Sequence, residues 1–186
     1  MRLKYNAPTV LTFAFTSAAV LVLSITVFPD LSLNWFRVAG KGNFNPASAQ
    51  SWITLCTHVI GHSNWNHLIS NFAYILLIGP ILEEHYGSLP LFLMILITAF
   101  VTGILNTLLF SSSLHGASGV VFMMILLASF TNINKGEIPL TFILILFLYL
   151  GQEFINSFAN NNISEFAHIA GGFCGSLFGF FTSGKR

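Results

Sequence analysis

The chain is a succession of long apolar runs joined by short polar links. A bilayer core about 30 Å thick needs roughly 20 apolar residues in helix. Six runs approach that length, approximately Pro8 to Phe28, His67 to Leu82, Leu89 to Phe110, Ser118 to Phe130, Ile138 to Ile155 and Ile163 to Phe181. The links leave no room for a soluble domain. The first is the long one, from Pro29 to Asn66, and it carries Trp35, Phe36, Trp52 and Trp65, aromatics suited to the headgroup layer. The pattern predicts an all-α polytopic membrane protein, with a single six-helix membrane domain over residues 1–186 and an interfacial element over 29–66.

The fourth run departs from the others. Ser118 to Phe130 offers 13 positions before the polar Thr131-Asn132, a helix roughly 20 Å long at about 1.5 Å per residue, against a core of about 30 Å. If its inner end lies at the inner surface, its outer end starts on the order of 10 Å below the opposite one. The preceding Ser111 to Ala117 must then descend into the membrane as irregular backbone. Such backbone is tolerated where protein buries it or where it lines a water-filled cavity. A wet pocket with Ser118 at its floor is the expectation.

Composition sharpens this picture. Of 186 residues 54% are apolar and 7% charged, too few charges to solvate an ordinary globular surface. A net charge of +1 without any Lys/Arg run argues against a nucleic-acid partner. Cys56 and Cys174 suggest neither a disulfide framework nor a thiolate metal site. Arg2 and Lys4 precede the first run in the manner of a secretory signal, but that run is too long for an h-region and no small-x-small site follows. It reads as a retained transmembrane helix. Arg2, Lys4, Lys135, Lys185 and Arg186 fall on one side of a six-span topology and Arg37 and Lys41 on the other, which predicts cytoplasmic termini. No internal symmetry of the transporter kind is visible.

Polar groups inside spans mark functional sites by default. Here they are His67 and Asn71 in the second run, Asn106 in the third, Ser118 opening the fourth, Glu153 near the end of the fifth and His168 in the sixth. A serine at a helix N-terminus has unpaired backbone N–H groups beside it that favour developing negative charge. Acyl transfer also needs a base and donors for the tetrahedral oxyanion. His168 can serve as base, and His67 and Asn71, four apart on one helix face, as donors. Gly171, Gly175 and Gly179 recur every fourth residue with Ala167 in step, a small-residue stripe that lets two membrane helices approach closely, and His168 borders it. Phe122, four after Ser118, shares its face and can stack on the imidazole. The sole aspartate, Asp30, lies in the first link, so a Ser–His dyad is expected and not a triad.

These residues resemble the rhomboid family of intramembrane proteases. Gly116-Ala117-Ser118-Gly119 matches the family's Gly-x-Ser-Gly, and Ala167-His168-Ile169-Ala170-Gly171 its Ala-His-x-x-Gly. His62, His67 and Asn71 match His-x4-His-x3-Asn, and Glu83 with Gly87 the Glu-x3-Gly that closes the second span. The likeness runs from about His58 to Gly179 with the motifs in order. It implies a six-helix bundle, a Ser118 nucleophile, a His168 base, and an oxyanion hole from His67, Asn71 and the Ser118 backbone N–H. Gly116, Gly119, Phe122 and Gly171 support the site. The loop from Asn156 to Asn162 looks like a cap and the fifth helix like a gate. Substrates would be single-pass membrane proteins, in a bacterial inner membrane. Two departures stand out: Phe122 replaces the Tyr of many bacterial members, and Trp52 is followed by Ile53-Thr54, without the Trp-Arg pair of many members.

Other readings carry less. His58, His62 and His67 can be taken as a metal cluster, but no His-Glu-x-x-His accompanies them, and the chemistry above requires no metal or cofactor. Gly-x-Ser-Gly is not the hydrolase elbow, since Val120 stands where that pattern wants Gly. Glu83 and Glu84 are read as solvated or structural, Asn106 as an interhelical hydrogen bond, and Glu153 as snorkelling. A pseudoprotease that binds membrane clients without cutting them, and a small transporter using the wet cavity, are the alternative functions.

Overall fold

The computed structural model describes residues 5–131, 138, 140–145, 147–148 and 164–182. Among them the regular elements are helices: α1 (Pro8–Thr26), α2 (Leu31–Trp35), α3 (Ala49–Thr57), α4 (Trp65–Tyr86), α5 (Ser88–Leu109), α6 (Ser118–Ala128) and α7 (Ser164–Thr182). Residues 140–145 and 147–148 are helical as well. Glu153, the loop from Asn156 to Asn162 and half of the run from Ile138 to Ile155 lie outside the described residues.

Local chemistry sets the helix ends. Pro8 opens α1, where its missing N–H costs nothing. Glu83, buried near the far end of α4, supplies the cap that the α1 sequence lacks. Thr9 N donates to Glu83 Oε1 at 2.8 Å and Val10 N to Oε2 at 3.0 Å, so a carboxylate sits on the positive end of the helix dipole. The α4 N-terminus is capped by Asn64, whose Oδ1 accepts from His67 N at 2.9 Å. Gly87, with φ of 91°, turns the chain from α4 into α5.

α6 is the hub. Val120, Met123 and Leu127 are fully buried and Met124 and Leu126 nearly so, the mark of a helix apolar all round that is enclosed by others; α4, α5 and α7 pack around it. Its seam with α7 is made by glycine. A Cβ on Gly171 would overlap the Gly119 carbonyl and one on Gly175 the Met123 carbonyl, while Gly119 faces Ala167 O. The backbones therefore meet directly. At its end Phe130 packs against Phe142 and Phe180 at 4.8 and 4.9 Å between ring centroids.

The outside of the bundle is apolar. Leu77 is 69% exposed, Leu89 68%, Phe147 74% and Phe181 76%, an outer surface that matches lipid and not water. α1, α4 and α5 are long and apolar enough to cross a membrane; Ser118–Ala128 and Phe166–Thr182 are shorter apolar helices. The molecule is an all-α polytopic membrane bundle.

Candidate active site

The stretch ahead of Ser118 is irregular, and protein groups take up its backbone. Phe110 O accepts from Lys41 N at 2.6 Å, Leu114 exchanges both backbone bonds with Val38 at 2.9 and 3.1 Å, and Gly116 N donates to His58 O at 2.9 Å. Asn106 Nδ2 donates to Ser112 O at 3.0 Å. Asn106 was expected to bond another helix. It ties down this loop instead, because it lies in the last turn of α5 and the chain folds straight back over it.

Val38 and Leu114 form an isolated antiparallel bridge, and both are buried with Leu55 and Ala167. The long first link is thereby joined to the serine loop and to the residue beside His168. Other bonds hold the link itself: Thr107 Oγ1 donates to Ala39 O at 2.9 Å, Gln50 Nε2 to Asn34 O at 2.6 Å and Trp52 Nε1 to Pro46 O at 3.0 Å. Trp35, Trp52 and Trp65 are each close to half exposed. These contacts anchor the link without a Trp-Arg pair.

At Gly116 φ is 111°, a left-handed backbone that favours glycine. The space where a Cβ would stand is also taken. His67 presents the Cε1–Nε2 edge of its ring there, 2.6 and 2.7 Å from that position, and Asn71 Nδ2 lies 3.8 Å from it. Two donor-bearing side chains from α4 thus converge beside the backbone two residues before Ser118. Ser118 opens α6 with no side-chain cap on that helix. Across the glycine seam, the His168 ring of α7 lies 4.4 Å from that of Phe122, tilted by 36°, and Ser118 and Phe122 share a face one helical turn apart. Ser118 and His168 are both half-buried.

The two histidines before α4 are structural parts of the site. His58 is 1% exposed, with Nδ1 3.1 Å from Leu55 O and Nε2 3.4 Å from Thr102 Oγ1. His62 is 2% exposed, with Nδ1 3.0 Å from Ile60 O and Nε2 3.2 Å from Asn71 Nδ2. Burial lowers both pKa values to about 4, against partial relief from their backbone hydrogen bonds. His115, in the descending loop, is also lowered, by burial first and then by His67 and Arg37; its ring centroid lies 5.9 Å from that of His67. His62, Ser63, His115 and Arg37 line a cavity of about 300 Å3 beneath the end of α1. The spacing of His62 to Asn71 hints at a shared neighbourhood, but Ser63 and Asn64 give no sequence signal of a role here.

A helical bundle with an apolar exterior, holding a Ser, His and Asn constellation around irregular backbone inside it, defines an integral membrane protein with an internal polar site. The Rhomboid domain model matches residues 49–185, and the chain belongs to the rhomboid family. It is 23% identical over 133 residues to the rhomboid protease GlpG of Haemophilus influenzae, covering 70% of this chain and 69% of that protein. With YdcA of Bacillus subtilis the identity is 28% over 184 residues, 95% of this chain and 90% of the relative. With the chloroplastic Rhomboid-like protein 11 of Arabidopsis thaliana it is 25% over 166 residues, 88% of this chain and 55% of that protein's length.

Proposed function

We propose that the protein is an intramembrane serine endopeptidase that cleaves the transmembrane segments of single-pass membrane proteins with a Ser118–His168 dyad. The observation that carries this reading is the convergence of three helices on one loop. His67 and Asn71 meet Gly116 from α4, and the His168 ring lies tilted against Phe122, one turn along from Ser118. The match to a protein named rhomboid protease supports the same chemistry.

In this reading His168 takes the Ser118 hydroxyl proton as Oγ attacks the scissile carbonyl carbon. The carbonyl oxygen becomes an oxyanion held by the Ser118 backbone N–H, His67 and Asn71, and the positive end of α6 adds to the stabilisation. Collapse expels the amine, which receives its proton from His168. A water, deprotonated by the same imidazole, then hydrolyses the acyl-enzyme. Phe122 holds the ring by stacking, a task that needs no hydroxyl. The distribution of Arg2, Lys4, Lys135, Lys185 and Arg186 supports cytoplasmic termini.

The test is cleavage of a single-pass substrate by purified protein in liposomes, together with covalent labelling by a fluorophosphonate probe. Ser118→Ala and His168→Ala are expected to lose at least about a thousandfold in kcat/KM, with labelling abolished in both. Alanine variants that cut like wild type would overturn the reading. Wild-type protein that captures the substrate but neither cuts nor labels would assign it to the non-cleaving, client-binding class.

A further inference from the structure

Resting on that reading, we propose that His62, Ser63 and Asn64, the turn ahead of α4, are positioning residues that fix which atoms of His67 and Asn71 present N–H groups toward Gly116. The hydrogen bonds run as two short chains: the end groups of the second fix its direction, and the first is assigned with the Ser63 hydroxyl as donor to His67.

The first begins at Asn64. Its Oδ1 accepts from His67 N at 2.9 Å, which leaves Nδ2 as the group facing Ser63 Oγ at 3.2 Å. Ser63 Oγ accepts that bond on one lone pair, and its hydrogen is assigned to His67 Nδ1, 3.2 Å away, in place of a second accepted bond from Nδ1–H. An imidazole nitrogen that accepts carries no proton, so the neutral ring carries its proton on Nε2. Nε2 belongs to the ring edge that occupies the side-chain space of Gly116. Helix capping and tautomer choice are thereby joined in one side chain.

The second begins at Ile60. Its carbonyl, an acceptor only, lies 3.0 Å from His62 Nδ1, so that nitrogen holds the proton and Nε2 is left with a lone pair. Asn71 Nδ2 lies 3.2 Å from it and donates. The bond holds the amide of Asn71 with its NH2, and not its carbonyl oxygen, on the side facing Gly116, and leaves the second N–H for an oxyanion. A carbonyl oxygen turned to that side would repel the charge it is meant to stabilise. Both His62 and Asn71 are buried, so in the intact protein His62 and not bulk water is the partner of this N–H.

Two readouts test this in the full-length protein. Nitrogen-15 NMR of histidine-labelled protein in nanodiscs near pH 7.5 is expected to show His67 protonated on Nε2 and His62 on Nδ1. The opposite tautomer at either ring overturns its chain. Cleavage kinetics supply the second readout. His62→Ala is expected to lower kcat about tenfold with KM unchanged, a fraction of the loss expected when a donor is removed outright. His62→Gln, whose Oε1 can accept from Asn71, should recover most of that loss. In an Asn71→Ala background His62→Ala should cost nothing further, and Ser63→Ala should be silent in a His67→Ala background. Equal losses in both backgrounds would mark these residues as merely structural and sink the inference. Should His62→Ala not fold, the exposed Ser63 and the tautomer measurement still decide. Ser118→Ala and wild type are run beside them: active wild type and inactive Ser118→Ala keep the protease reading intact whatever the turn variants do.

Discussion

At Gly116 a positive φ and a filled side-chain space coincide. Either alone disfavours substitution; together they tie the backbone conformation to the placement of His67. Gly116→Ala must adopt a left-handed backbone, costing about 1–2 kcal/mol, and push the imidazole aside as well. We expect at least a tenfold fall in kcat, measured by cleavage in liposomes, with a smaller effect on unfolding. Phe122→Ala should remove the ring on which His168 rests and lower kcat in the same assay, whereas Phe122→Tyr should retain activity. Much at this scale was legible in the sequence. The four-residue spacing of His67 and Asn71, and of Ser118 and Phe122, says which residues share a helix face. What spacing does not reveal is the turn before α4, where side chains of His62, Ser63 and Asn64 act through rotamers that no periodicity governs.

Helix ends and seams are the next scale. Glu83 bonds two backbone N–H groups of α1, and Glu83→Ala would leave them without that partner. Hydrogen bonds to charged groups contribute about 1.5–3 kcal/mol each, though the sum for one carboxylate is less than additive. A loss of about 2 kcal/mol in unfolding free energy is expected, read from detergent titrations. Sequence had Glu83 as solvated or structural; its partners lie more than 70 positions away and only the packed helices reveal them. The glycine seam is different, since a small residue every fourth position announces a close crossing before any coordinates exist. Gly171→Val should force α6 and α7 apart and abolish cleavage, with a lowered thermal midpoint in detergent. Gly119 and Gly175 share that constraint.

For the molecule as a whole, the buried histidines set a response to acid. His58 and His62 titrate near pH 4 when folded and near the ordinary value of about 6.5 when unfolded. Above pH 6.5 both states are neutral and stability is full. As pH falls from about 6.5 to 4 the unfolded chain binds protons that the folded one refuses, so stability declines, by up to about 3 kcal/mol per ring, and levels off below. Unfolding midpoints measured across that window should fall with pH, and the fall should shrink in a His58→Gln variant. The apolar runs made the class of architecture legible, because lipid demands helices with satisfied backbone. The first link was harder to read. Its order comes from scattered backbone bonds to a distant loop, and neither composition nor period encodes these.

Those bonds have a direction in time. Lys41, Val38, His58 and Asn106, which hold the descending loop, are all synthesised before the residues they hold. A growing chain that has emerged as far as Gly116 already contains each of these tethers. The loop ahead of Ser118 can therefore be assembled before α7 has left the ribosome, so under the proposed mechanism His168 arrives after the loop it would serve.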